Sequence, residues 1–197
     1  SGMMEPMTRL LLGAFPPELG PFLEAPPPGW RVACTGVGAL LAAATTARLV
    51  AELKPEAVLF LGTCGAYDHR LAVGDQLWAA EAIASSLAEL RGEAYRPVIE
   101  ATRWATTFDG PLPKHGVVVP PAITKTREGA ALLGALGAAE HLELTGVYAA
   151  CHAVRVPVGA ALAVVNEVGP DAQAQWRANQ KKGSLQLIDR LVDLKVF

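Results

Sequence analysis

Cysteine is scarce in this chain: Cys34, Cys64 and Cys151 are the only three in 197 residues. They stand far apart, with no CxxC pair and no Cys/His cluster. That argues against a disulfide scaffold and against a metal centre. An odd number of thiols fits a reducing compartment, so a cytoplasmic location is expected. Charge is also thin. Asp, Glu, Lys and Arg make up 18% of the chain, against roughly 25% in a typical soluble domain. The 17 basic and 19 acidic residues leave a net charge of −2, so the basic excess of a nucleic-acid binder is missing. Long apolar runs are missing too. Gly, Thr or a charge breaks each one before it could span a bilayer, and no signal-peptide pattern opens the chain, so no membrane association is expected. Asparagine occurs only twice, at Asn166 and Asn179.

What is present is apolar. Hydrophobic residues make up 51%, and the chain holds 35 Ala, 19 Gly and 15 Pro. A disordered segment needs the opposite balance. The length suits one domain with one sizeable core, taken as residues 3–197, with Ser1-Gly2 read as a cloning scar.

Met7 to Gly13 reads as a buried strand. Six prolines between positions 16 and 28 make the next stretch loop, with one short helical turn. Arg31 to Thr35 is a second strand, followed by Gly36-Val37-Gly38 and an Ala-rich helix ending before Pro55. Ala57 to Leu61 is a continuous apolar run, as a strand covered on both faces requires. GTCGAYD after it reads as a turn-rich loop. An extended piece follows Val73-Gly74-Asp75, and residues 85–114 read as irregular strands or a lid. Gly116 to Val119 is a short strand, Thr126 an N-cap, and Glu140 to Glu143 another short strand. A helix over Thr145 to Val154, a strand over Val156 to Val165, and a closing helix capped by Asp171 complete the chain. In that last helix Leu185, Ile188, Leu191 and Val192 follow helical spacing. Alternating strands and helices predict an α/β domain with a mixed, mostly parallel central sheet flanked by helices.

In such sheets ligands sit beyond the carboxyl ends of the strands. That rule selects Glu18, the 35–38 turn, the 62–66 turn, Glu143 and Asn166. The same positions carry a family likeness. The segments are LLLGAFPPEL (10–19), TGVG (35–38), LGTCGA (61–66), VGD (73–75), LEL (142–144) with ACHAVRVP (150–157), and AVVNEVGP (163–170) with Trp176. In this order they resemble the nucleoside phosphorylase and nucleosidase superfamily over nearly the whole chain. NEVGP followed by Trp176 is most similar to the futalosine hydrolase branch.

The resemblance implies cleavage of the N-ribosidic bond of a purine nucleoside, without a cofactor. Such a reaction passes through an oxocarbenium-like cation. Glu143, with Leu142 beside it, matches the family glutamate that binds the ribose hydroxyls; an acid at a helix start is also favoured by the dipole alone. Asn166 stands where adenine-cleaving relatives carry an acidic aspartate. An amide supplies no proton but can hydrogen-bond a 6-oxopurine leaving group. Glu18 matches the glutamate that activates water, and an acid after Pro16-Pro17 is equally an ordinary helix-start residue. Thr63, Cys64 and Gly65 are candidates for holding nucleophile or ribose, and Trp176 for covering the purine. Cys64 and Trp176 also fit as plain core residues. His141 stands where relatives often carry an acid.

Phosphorylases usually carry an arginine before the Gly-Thr turn, and here that place is Phe60. A phosphate without a cationic partner is poorly held, which favours water as nucleophile. Two further readings stay open: a phosphorylase with other phosphate ligands, and a nucleoside-binding member of low activity. A dinucleotide fold is disfavoured, because Leu41 takes the third glycine place and no ribose-binding acid follows Leu61-Gly62. Relatives are usually dimers or larger, so a homo-oligomer is expected.

Overall fold

The computed structural model describes residues 7–197, so the reading of Ser1-Gly2 lies outside the described residues. The order is β1 (Arg9–Gly13), α1 (Pro16–Leu19), a 3-10 turn (Gly20–Leu23), β2 (Trp30–Cys34), α2 (Ala39–Leu53), β3 (Val58–Ala66), β4 (Gln76–Ala84), α3 (Leu87–Leu90) and β5 (Arg103–Ala105). Then come β6 (Lys114–Val119), α4 (Arg127–Gly134), β7 (Ala139–Glu140), α5 (Leu144–Ala153), β8 (Val158–Glu167) and α6 (Ala172–Asp193).

The eight strands of the described residues form one mixed sheet. β1 pairs in parallel with β2 and β3, β3 with β8, β4 with β6, and β6 with β7. The antiparallel pairs are β3/β7, β4/β5 and β4/β8. The ladder therefore closes on itself through β3, β7, β6, β4 and β8. Strand alternation sends neighbouring side chains to opposite faces. Leu10, Leu12 and Phe60 join the core under α2 and α5, with Ala42, Val147 and Tyr148. Leu11, Leu59 and Leu61 join the core under α6, with Leu187, Ile188 and Leu191.

Several expected boundaries move. β3 runs on through GTCGA to Ala66, where a loop was expected. β8 pairs it to its end, and its glycines provide room for neighbours rather than turns. β8 in turn extends to Glu167, so Asn166 lies inside a strand. β7 stops at Glu140, and His141 to Glu143 leave the sheet to start α5. In α6 the buried face is Ser184, Leu187, Ile188 and Leu191, while Leu185 and Val192 are exposed. Thr126 does cap α4, its hydroxyl accepting from the Gly129 N–H. Asp171 occupies the N-cap place of α6 without a side-chain bond. The 85–114 stretch contributes α3 and the short edge strand β5. No helix among the described residues is long and apolar enough to cross a membrane.

Candidate active site

The site is built along one strand. Gly62, Thr63, Cys64 and Gly65 of β3 span about 10 Å, at roughly 3.3 Å per residue. An added Cβ at Gly62 would lie 2.9 Å from His141 Nε2, and one at Gly65 would lie 2.6 Å from Asn166 Nδ2. Between them, Thr63 holds Glu18. By strand alternation Gly62 meets His141 on one face of β3, while Thr63 and Gly65 meet Glu18 and Asn166 on the other.

Glu18 is carried over β3 by the turn that Pro16 opens, and it is buried. Its Oε2 accepts from the Ala14 N–H at 3.1 Å. Its Oε1 accepts from the Thr63 N–H at 3.3 Å and the Thr63 hydroxyl at 3.0 Å. Those three donors favour the carboxylate, but burial dominates and the nearby charge of Glu143 adds to it. Together they push the Glu18 carboxyl up to about 8.

Glu143 is buried at the N-cap position of α5. Its Oε2 accepts from the Gly38 N–H at 2.7 Å, which fixes the TGVG turn against the helix start. Gly38 has φ +95°, a conformation that favours glycine and aims this N–H. His141 caps α5 where no capping residue was expected. Its Nδ1 accepts from the Glu143 and Leu144 N–H groups, both at 3.1 Å. Nδ1 is therefore unprotonated, and burial lowers the imidazole further below its ordinary range. The remaining Nε2–H faces Glu143 Oε1 at 3.8 Å.

Asn166 sits at a β-bulge. The register runs Cys64 with Val164, then Gly65 with Asn166, so Val165 has no partner in the ladder. One Nδ2 hydrogen goes to the Glu167 carbonyl at 3.1 Å. Among the described residues, the second hydrogen and Oδ1 bond no protein group.

Residues 30–192 match the phosphorylase superfamily. Over 181 residues the chain is 31% identical to the futalosine hydrolase of Streptomyces coelicolor, covering 81% of this chain and 76% of that protein. The chain belongs to the phosphorylase superfamily. Within it, the sequence match places the chain in the futalosine hydrolase branch, among the hydrolytic N-glycosidases. The fold agrees. The native futalosine hydrolase of Helicobacter pylori superposes with a TM-score of 0.81 at 18% identity, covering 95% of this chain and 98% of that one. A 5'-methylthioadenosine/S-adenosylhomocysteine nucleosidase of the same organism, solved in complex with a pyrrolidin-3-ol compound, gives 0.81 at 17% identity over 96% and 99%.

Among the described residues no lysine or arginine bonds Glu18, Thr63, Glu143 or Asn166. The charge acting on Glu18 is that of another carboxylate. No group of three metal-ligating side chains occurs among the described residues.

Trp176 meets the site from α6. Its Nε1–H donates to the Thr63 hydroxyl at 3.2 Å, and its ring lies 5.9 Å from that of Phe15. The Cys64 thiol stays in the core beneath, its ionisation pushed far up by burial. Leu142 is half-buried between His141 and Glu143. A third buried carboxyl, Glu140, lies across the ladder from Gly65 and has its own partners. It accepts from the Tyr67 hydroxyl (2.8 Å), the Thr124 hydroxyl (2.7 Å) and the Thr124 N–H (3.0 Å), and so ties β3 to the loop before α4.

Proposed function

We propose that this chain hydrolyses the N-ribosidic bond of a 6-oxopurine nucleoside of the inosine or futalosine type. The observation that carries the reading is Asn166, an amide with one free N–H and a free carbonyl, seated against Gly65 at the end of β3. An amide gives no proton. It can donate to the ring-nitrogen and oxo edge of a 6-oxopurine as that base gains negative charge. Adenine leaves best with a proton, and this position supplies none.

The other roles follow from chemistry. Glu143 accepts the ribose hydroxyls and places negative charge beside the developing cation. Glu18 takes a proton from water on the face opposite the base. Buried carboxyl groups with no cation bonded to them hold a phosphate dianion poorly and tolerate water. The relative at 31% identity, a futalosine hydrolase, supports hydrolysis at this site.

The test is a panel of inosine, futalosine and methylthioadenosine with product analysis by mass. The expected result is release of hypoxanthine from the 6-oxopurine nucleosides and little adenine from methylthioadenosine. Preferential release of adenine would overturn the assignment of Asn166.

A further inference from the structure

Beside the bulge that seats Asn166, side chains of α6 bond two backbone groups of β8. The Asn179 side chain donates from Nδ2 to the Val165 carbonyl at 3.0 Å. The Gln175 side chain accepts at Oε1 from the Glu167 N–H at 2.7 Å. Val165 and Glu167 are the two residues flanking Asn166. The spacing on both sides agrees. Residues four apart on a helix have Cβ atoms about 5–6 Å apart. Two residues along a strand advance roughly 6.6 Å. One amide therefore holds a carbonyl and the other an N–H, on either side of the residue between them.

We propose that Gln175 and Asn179 are positioning residues that fix Asn166 for its contact with the leaving base. The inference rests on the leaving-group role given to Asn166 above. The polarity of each bond is dictated by its backbone partner: a carbonyl needs a donor, and an N–H needs an acceptor. Trp176, between the two on the same helix, donates to Thr63, which in turn donates to Glu18. One rigid element thus braces the leaving-group side and the water side together. The second of the chain's two asparagines holds the first.

Opposite outcomes are expected for two isosteric changes. Gln175→Glu keeps the acceptor and retains most of kcat, whereas Gln175→Ala loses it. Asn179→Asp replaces the donor by an anion facing a carbonyl, and kcat falls about tenfold or more, as a small misplacement of a reacting group costs. KM for inosine changes less than kcat, because ribose binding lies with Glu143. The decisive measurement is a double-mutant cycle in inosine hydrolysis. If Asn179 acts through Asn166, Asn179→Asp adds less than about twofold to the loss already caused by Asn166→Ala. Wild-type kcat in Asn179→Asp, or losses that multiply in the double variant, would overturn the proposal. Should Asn179→Asp fail to fold, the same cycle with Gln175→Ala, checked against Gln175→Glu, makes the test. Asn166→Ala at the wild-type rate would instead overturn the reading of Asn166 itself, so the two failures differ in which variant keeps its rate.

Discussion

Glu18 is where burial and chemistry pull against each other. Three hydrogen-bond donors favour its charge, while desolvation and Glu143 oppose it, and its carboxyl is raised from 4.5 to about 8. As a base for water it must lose that proton. The rate of nucleoside hydrolysis should therefore climb with pH and level off above about 8. Glu143→Gln removes the repelling charge, so it should move that limb to lower pH while cutting turnover, with the far-UV circular dichroism unchanged. A limb that stays in place would mean that Glu18 does not feel Glu143. Glu18→Gln should lower kcat on the order of 10²-fold or more, the usual share of a general base. Stability carries the same signature. The folded chain holds a proton that the unfolded chain releases, so this contribution is complete below about 4.5 and is lost as pH rises through about 8. Urea midpoints measured from pH 5 to 9 should fall for the native chain and flatten for Glu18→Gln.

At the scale of elements, β3 decides the site through its glycines. Gly65→Ala places a Cβ 2.6 Å from Asn166 Nδ2 and 2.9 Å from Val168 Cγ2. Both are side-chain atoms, so the fold should survive and kcat should fall as Asn166 is displaced. Gly146 differs, because a Cβ there meets the backbone carbonyl of Ala39 in α2. Gly146→Ala should cost about 1–3 kcal/mol by overpacking, read as a lower thermal midpoint, and should loosen the Gly38–Glu143 bond that the α2/α5 contact supports. These elements were unequally legible in the sequence. The apolar AVLFL run, the Ala-rich helix and the Thr126 cap announce themselves by pattern. GTCGA does not, because two glycines in five residues look the same whether they turn a chain or make room beside a strand. His141 as an acceptor for two helix N–H groups has no composition signal. Gln175 and Asn179 look like the solvated face of a polar helix until the bulge beneath them is known.

At the scale of the whole molecule, the low charge of the chain takes a specific form. The sheet brings Glu18 and Asn166 to β3, with the charge of Glu143 acting on Glu18. The chain carries the frame of the phosphorylase superfamily, and among the described residues no lysine or arginine bonds Glu18, Thr63, Glu143 or Asn166. The central claim is that water, not phosphate, attacks the ribosyl carbon. It is tested most directly by inosine cleavage in ¹⁸O-labelled water, with and without phosphate, followed by mass analysis of the sugar. The account predicts free ribose carrying one ¹⁸O atom, formed at the same rate in both buffers. Unlabelled ribose 1-phosphate, formed only when phosphate is present, would contradict it.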